Sequence, residues 1–539
     1  TPKILVITLD EKLTFMQHLQ NTEKKASRSL KIIREVKGIG KISTSKLLRL
    51  YSTLVRTIME YGSTIWQGSK SRGLLDRVQR KGLALCLGLP STSSCEAMEV
   101  AAGILPLDFR FAETAVRDIA KIQSKSIDRP IKQTLNRCIQ SDPGGRYITP
   151  MSLALAQANE MKAVTGVDIS IIEQEMDYEA GSLALTKRLP TYWSRLGSSK
   201  SRTYEQTELG KEMVMDMMME AQADTTFAFT DGSCQPNPGP CGAGAVLYPP
   251  HLDPIPLKKP VCKRGSILLG ELVAVQIALE HFLQHLDIIS SKLLKIFSDS
   301  QSAVGILTLN WKESGYKDIT TEIRQTIATL RQKGAAVDIS WTPGHASIVG
   351  NEVADALAKE AATEAKNQPD CRRSTSILEV KEAIKKTQLS RWQTRWDNAE
   401  HGRVFHALVP KVDSKKFLDI PNRKSFCQIL QIQTGYSKLS DYRYKLGQCD
   451  SNKCTCGEPE TPEHFLIHCP NYQHCRETMQ LTLSSQLGLN FIDSHTLLSN
   501  DEHPELPDWR ETIRREVSAY IEATERFSEK IPDSPPPQP

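Results

Sequence analysis

Between residues 224 and 365 the hydrophobic period switches repeatedly between two and about 3.6, and an acid stands near almost every switch. In TTFAFTDGS the alternation of strand side chains puts Phe227, Phe229 and Asp231 on one face, so a carboxylate closes an apolar run. GAGAVLYPP and IPLKKPV read as the next two strands. GELVAVQIALEHFLQHL reads as a helix with Leu272, Val275, Leu279 and Phe282 along one side and Glu271 expected in its first turn, where the helix dipole favours an anion. LLKIFSDSQSAV is a short buried-type strand ending in Asp299, with Ser300 placed to begin a helix. AAVDISWTPGH alternates Val337, Ile339 and Trp341 to one side and runs into a Pro-Gly loop carrying His345. GNEVADALAKEAA is an amphipathic helix with Asp355 expected near its start.

Four acids therefore recur at element ends, and in α/β sheets such ends gather at one edge where ligands bind. Four carboxylates brought together repel unless divalent cations lie between them, and an all-oxygen site suits Mg²⁺, with Mn²⁺ as a substitute. That chemistry is two-metal phosphodiester hydrolysis. One ion lowers the pKa of an attacking water, and the other stabilises the leaving 3′ oxygen. His345 is a candidate to accept or relay a proton, histidine being the side chain type whose unperturbed charge change falls near neutral pH. Gly239, Gly242 and Gly244 are not followed by a G-K-[ST] run, so they suit a strand turn with close backbone approach, and nucleoside triphosphate binding is excluded.

TDGSCQPNPGPCGAG, GELVAV, FSDSQSAV and WTPGHASIVGNEVADALAKEA resemble, in this order and spacing, the ribonuclease H domain of retroelement and cellular enzymes. The resemblance implies a mixed five-stranded α/β sheet with flanking helices. It also implies that Asp231, Glu271, Asp299 and Asp355 occupy the four catalytic carboxylate positions and ligate two Mg²⁺, and that His345 is the flexible-loop histidine. Asn237, Ser266 and Asn351 are placed as substrate contacts. One departure stands out: where the family often has Thr-x-Asn before the catalytic glutamate, this chain has SILLGE, so contacts to the hybrid's sugars there are expected to be altered or lost.

CTCGEPETPEHFLIHC offers Cys454, Cys456, His464 and Cys469 as a ligand set for tetrahedral zinc, with Cys449, His468 and Cys475 as rivals. The stretch from QIQTGYSKLSDYRYKLG through CPNY resembles the zinc-binding tail of non-LTR retrotransposon polyproteins. VITLDEKL and LDRVQRKGLALCLGLPSTSSCEAMEVAAGILPLDFR resemble the end of the polymerase core of those polyproteins and the helical segment after it. The expected division is a helical region at 1–139, a linker at 140–220, the ribonuclease H domain at 221–366, a helical connector at 367–445, a zinc-binding segment at 446–480, a helical tail at 481–528 and a disordered end at 529–539.

Within the first region, 12–36 and 43–60 read as helices. In the second, Leu47, Tyr51, Leu54, Val55 and Ile58 share a face and Ser43 caps the start. A further helix near Leu74–Leu85 ends at Gly88 and Pro90. The Met-rich 211–220 helix and the pair Trp392 and Trp396 are expected to serve packing.

The net charge is only +5, yet residues 1–130 hold 22 Lys and Arg against 12 Asp and Glu, a surplus that suits a polyanion or a solvated basic face. Thirteen scattered cysteines argue for reduced thiols rather than a disulfide framework. No apolar run approaches the length of a membrane span, and no membrane partner is expected. The chain opens without methionine and is expected to be a piece of a polyprotein whose polymerase core lies elsewhere, since no aromatic-x-Asp-Asp run occurs in it. The function expected is cleavage of the RNA strand of RNA–DNA hybrids. The alternative is an inactive element remnant that only binds nucleic acid.

Overall fold

The computed structural model describes residues 3–39, 42–140, 149–174, 202–309, 311, 315–367, 374–413, 423–500, 503, 505–506 and 508–527. The chain divides into two compact units, one of residues 120–134 and 167–380, the other of residues 1–119, 135–166 and 381–539.

The first unit is built on a five-stranded sheet. Strands β1 (Thr225–Cys234), β2 (Gly239–Tyr248) and β3 (Ile255–Gly265) form an antiparallel meander, while β4 (Leu293–Ser298) and β5 (Ala336–Trp341) run parallel to β1, giving the order β3-β2-β1-β4-β5. Helix α1 (Ile267–Gln284) follows the meander, α2 (Gln301–Thr308) and α3 (Lys317–Gln332) connect β4 to β5, and α4 (Val349–Ala365) follows β5. Alternation along the strands makes two apolar faces. Ala228, Leu247, Ile296 and Ile339 pack with Leu272, Val275, Leu279 and Phe282 of α1. On the opposite face Phe229, Val246 and Phe297 meet Ala354 of α4 and Val214 of helix Tyr204–Met219. A Cβ on Gly242 would sit 2.2 Å from Ala362 N and one on Gly244 2.2 Å from Ala354 O, so the glycines of β2 let α4 lie against the sheet backbone.

Helix α1 is, contrary to the expectation that no such run exists, long and apolar enough to cross a membrane; 61% of that span is buried inside the protein, as the central helix of a two-faced sheet requires. Two helix starts also differ from expectation. Ser266 caps α1, its hydroxyl accepting from Leu269 N, and α4 begins at Val349, so Glu271 and Asp355 fall in second turns rather than first ones. The dipole argument for Glu271 therefore lapses. What places it is packing: a Cβ on Gly232 would lie 2.3 Å from Glu271 N, so α1 runs directly over the end of β1.

The expected linker at 140–220 contains two helices. Pro150–Thr165 is capped by Thr149 and closed by Gly166 in the left-handed region, and Tyr204–Met219 carries a capping box from Thr203 and Gln206. Met217 and Met218 of the second pack against buried apolar residues, as a packing role requires. Residues 141–148 and 175–201 of this stretch lie outside the described residues, as do 529–539, expected to be disordered.

The second unit departs most from the expected division. One core of this unit draws Tyr51, Trp66 and Leu83 from the N-terminal helices together with Trp392, Trp396, Ile429, Phe465, Leu497 and Tyr520 from the C-terminal ones. That core takes in residues of the expected helical region, connector, zinc-binding segment and tail alike. Trp392 and Trp396 are fully buried, and Trp396 Nε1 donates to Val409 O at 2.9 Å. Helix Gly73–Leu87 stands where expected, and the helix expected over 12–36 runs instead from Met16 to Ile39. The 43–60 helix contains a wide π-type turn at Tyr51–Arg56, and the buried set becomes Leu47, Tyr51, Val55 and Met59, leaving Leu54 exposed. A wide turn has more than four residues, so positions four apart stay aligned. All twelve described cysteines are free.

Candidate active site

The register Thr230↔Ser298 between β1 and β4 sets Asp231 and Asp299 side by side; Asp231, expected to end its strand, lies inside β1, which continues to Cys234 paired with β2, while Asp299 follows the last residue of β4. Glu271 reaches the same place from α1. One carboxylate oxygen from each of the three lies within 4.8 Å of the others. Asp355 is outside that group: its Oδ2 accepts from Lys359 Nζ at 2.6 Å one helical turn along α4, although it also interacts with Asp231.

Crowding and burial dominate the electrostatics. Burial, then the charges of Asp299 and Asp355, push Asp231 up to about 8, against a hydrogen bond from Gly232 N to its Oδ1 at 2.9 Å. Burial, then Asp231 and Asp299, push Glu271 well above the carboxylate range, although Ser298 donates to it. Asp299 is raised chiefly by burial, with Asn351 as donor and His345 pulling the other way. Glu271 Oε2 and Asn351 Oδ1 are buried without a hydrogen-bond partner. A buried oxygen with no donor, inside a group of acids that resist ionising together, fits a hard divalent cation.

His345 is exposed in the loop after β5, with φ at +54°, and the preceding Gly344 packs so closely that a Cβ there would meet Asp299 Oδ2 at 2.3 Å. Arg202, from outside the motif, fastens this loop by donating to Gly344 O at 2.9 Å. Trp341 Nε1 donates to Asp299 O at 3.0 Å. Asn237 Oδ1 accepts from Ile267 N at 3.3 Å, and Ser266 Oγ lies 2.8 Å from Tyr316 Oη, so both expected substrate contacts also serve the start of α1. Asn351 is buried beside Asp299. Sequence reasoning missed Arg202, Ser298 and Lys359. Only Lys359 left a signal, its spacing of four from Asp355 on a helix.

In the other unit Cys454, Cys456, His464 and Cys469 come within 4.8 Å of one another. Cys456 Sγ is 3.2 Å from His464 Nε2, and Cys454 Sγ is 3.7 Å from Cys469 Sγ. The rivals stand elsewhere: Cys449 Sγ faces Ser440 O and Ser451 O, His468 lies beside Glu463, and Cys475 packs against the core. Three sulfurs and an imidazole are the donor set of structural zinc.

The sheet order, its one antiparallel meander and the helices on both faces make the 221–366 region a ribonuclease H fold, with a cluster of acids where β1, the end of β4 and α1 meet. Residues 223–363 match the family described as RNase H. Ribonuclease H of Dinoroseobacter shibae is 34% identical over 142 residues, which are 25% of this chain and 88% of that protein. The chain belongs to the ribonuclease H family through this domain. A retrovirus-related Pol polyprotein from type-1 retrotransposable element R1 of Bradysia coprophila is 32% identical over 101 residues, 18% of this chain, and the chain spans 10% of that protein. RNase H1 from the halophilic archaeon Halobacterium salinarum is a solved structure with 26% identity, covering 26% of this chain and 99% of its own, at a TM-score of 0.22.

Proposed function

We propose that this ribonuclease H is a divalent-metal-dependent endonuclease that hydrolyses the RNA strand of RNA–DNA hybrids during retrotransposon reverse transcription. The observation that carries the reading is the trio Asp231, Glu271 and Asp299, the first two buried and the third partly so, mutually repelling, with Glu271 Oε2 unsatisfied. These three and Asp355 would hold two Mg²⁺, or Mn²⁺ in their place. When bound, the ions supply an activated water and stabilise charge on the leaving oxygen. The chain's own groups do the rest. Asn351 and Ser298 orient Asp299 and Glu271 by donating to them. His345, beside Asp299 on an exposed loop, takes up or hands on a proton at the site's mouth. Asn237, Ser266 and Asn351 are the proposed substrate contacts.

The Cys454, Cys456, His464 and Cys469 cluster is proposed to hold one structural Zn²⁺. The R1 relative supports a retroelement Pol polyprotein as the setting; a polymerase core elsewhere in that polyprotein is part of the proposal. The 221–366 region is the proposed enzymatic domain.

The test is incubation of the full chain with labelled RNA–DNA hybrid, single-stranded RNA and duplex DNA, with Mg²⁺ and with chelator. Mg²⁺-dependent cutting of the hybrid's RNA strand alone supports the proposal, since only a site that senses 2′-hydroxyls and the hybrid's shape selects it. Equal cutting of duplex DNA would refute it. Hybrid binding with no cutting would favour the inactive remnant.

A further inference from the structure

Helix Met16–Ile39 of the second unit buries Leu19, Ala26, Leu30 and Ile33 and turns the rest of its circumference outward. Along that outward arc a groove opens on each flank. One, of 620 Å³, is lined by Lys3, Lys24, Lys25 and Arg28. The other, of 630 Å³, is lined by Lys31, Arg34, Lys37, Lys81 and Lys438. No carboxylate lines either groove. The helix's own acids, Glu23 and Glu35, line neither.

Several cations elsewhere in this protein are paired. Lys258 holds Glu360 and Glu364, Lys359 holds Asp355, Arg395 holds Asp108 and Arg526 holds Glu460. Among the described residues the nine groove cations have no carboxylate partner. Lys37 is half-buried, and burial, then Arg423, lowers its pKa, the mark of a cation desolvated without an anion. Gathering like charges over two concave surfaces costs the fold something, and an anionic polymer is what offsets it. A solvated basic face would scatter its charges over a convex surface. The second groove also has apolar walls from Leu85, Leu89 and Pro90, which suit sugars and bases beside the phosphates.

We propose that helix Met16–Ile39 is a nucleic-acid-binding ridge, its two flanking grooves each taking a phosphate backbone. This site lies in a different unit from the ribonuclease H domain and does not depend on the reading of that domain's acids. It binds by charge, without reading base sequence.

The test is fluorescence anisotropy of the full chain with a labelled DNA strand and with duplex DNA, in chelator, over a salt titration. Two triple variants are compared, Lys24→Gln/Lys25→Gln/Arg28→Gln and Lys31→Gln/Arg34→Gln/Lys81→Gln. Each is expected to weaken binding about tenfold or more at low salt and to flatten the log–log salt dependence by about 2, since each lost phosphate contact removes about 0.7–0.9. Cleavage of a short hybrid in Mg²⁺ should continue in both variants, and the charge-preserving Lys31→Arg/Arg34→Lys should bind like the parent, which separates charge from folding. An unchanged slope in both triple variants overturns the proposal. So does loss of binding in the charge-preserving variant. If no cleavage is found at all but the slopes fall, the ridge stands and the enzymatic reading fails.

Discussion

Lys359 Nζ donates to Asp355 Oδ2 at 2.6 Å, so the one acid of the four outside the close trio, though still in contact with Asp231, is the one matched with a cation of its own helix. The pair is partly exposed, so it contributes little to stability, about 0–1 kcal/mol. A cation at this distance opposes metal binding by charge. Lys359→Met is therefore expected to lower the Mg²⁺ concentration that half-saturates the protein while leaving the metal-free melt nearly unchanged. Mg²⁺ titrations followed by thermal melting check it, and a raised Mg²⁺ requirement would mean that Lys359 instead positions Asp355.

Relief of crowding is the second expectation. Asp299→Asn removes one charge and keeps the shape, so in EDTA the variant should be the more stable by roughly 1 kcal/mol, equivalent to one modest pKa shift, while hybrid cleavage disappears. Mg²⁺ should then stabilise the parent more than the variant. A lower melt for the variant in EDTA would show that these acids do not strain the fold.

The pH dependence has a definite sign. Asp231 has its folded pKa pushed up to about 8, above its unfolded value near 3.8. Such a group binds its proton more tightly when folded, so its contribution is full below pH 4 and is lost as pH rises through about 8. In EDTA the domain carrying Asp231 should lose stability between pH 5 and pH 8, and Mg²⁺ at pH 8 should restore it. Stability that climbs steadily over that range without metal would contradict the burial and repulsion at Asp231.

Metal removal tests the other cluster. Burial pushes Cys469 up to about 12, while hydrogen bonds from Cys456 N and the neighbouring thiols more than offset burial at Cys454 and hold it low. A thiolate-ready sulfur beside His464 suits zinc, whose binding is coupled to folding. Purified protein should contain one zinc, and a strong chelator should loosen residues 449–475 in hydrogen exchange while hybrid cleavage in excess Mg²⁺ continues. Elemental analysis without zinc would remove the assignment.

Because one core joins both ends of the chain in the second unit, Trp396→Ala should destabilise that unit by about 3–5 kcal/mol and melt residues 42–119 and 423–500 together. Hydrogen exchange read by segment checks this. Independent loss of the C-terminal segments alone would show that the shared core is not cooperative.

Much of the ribonuclease H domain was legible in the chain alone. A strand buried on both faces and a helix along one stripe leave periods that local sequence must carry, so β1, β4, β5 and the positions of Asp231 and Asp299 could be read from Phe227, Ile296, Ile339 and their neighbours. Helix caps were read less well. Ile267 and Leu268 extend α1 ahead of the expected start, which moved Glu271 into a second turn. What only the tertiary structure decided are relations between distant residues: the pairing of Thr230 with Ser298 that brings two acids together, the hold of Arg202 on the loop of His345, and the engagement of Asp355 by Lys359. The joining of Tyr51 and Trp66 with Trp396 and Tyr520 in one core belongs to the same class. Periodicity records which face of an element is buried, because that preference is carried residue by residue. It does not record which other element covers that face, because burial of apolar surface is non-directional and any apolar face can satisfy it.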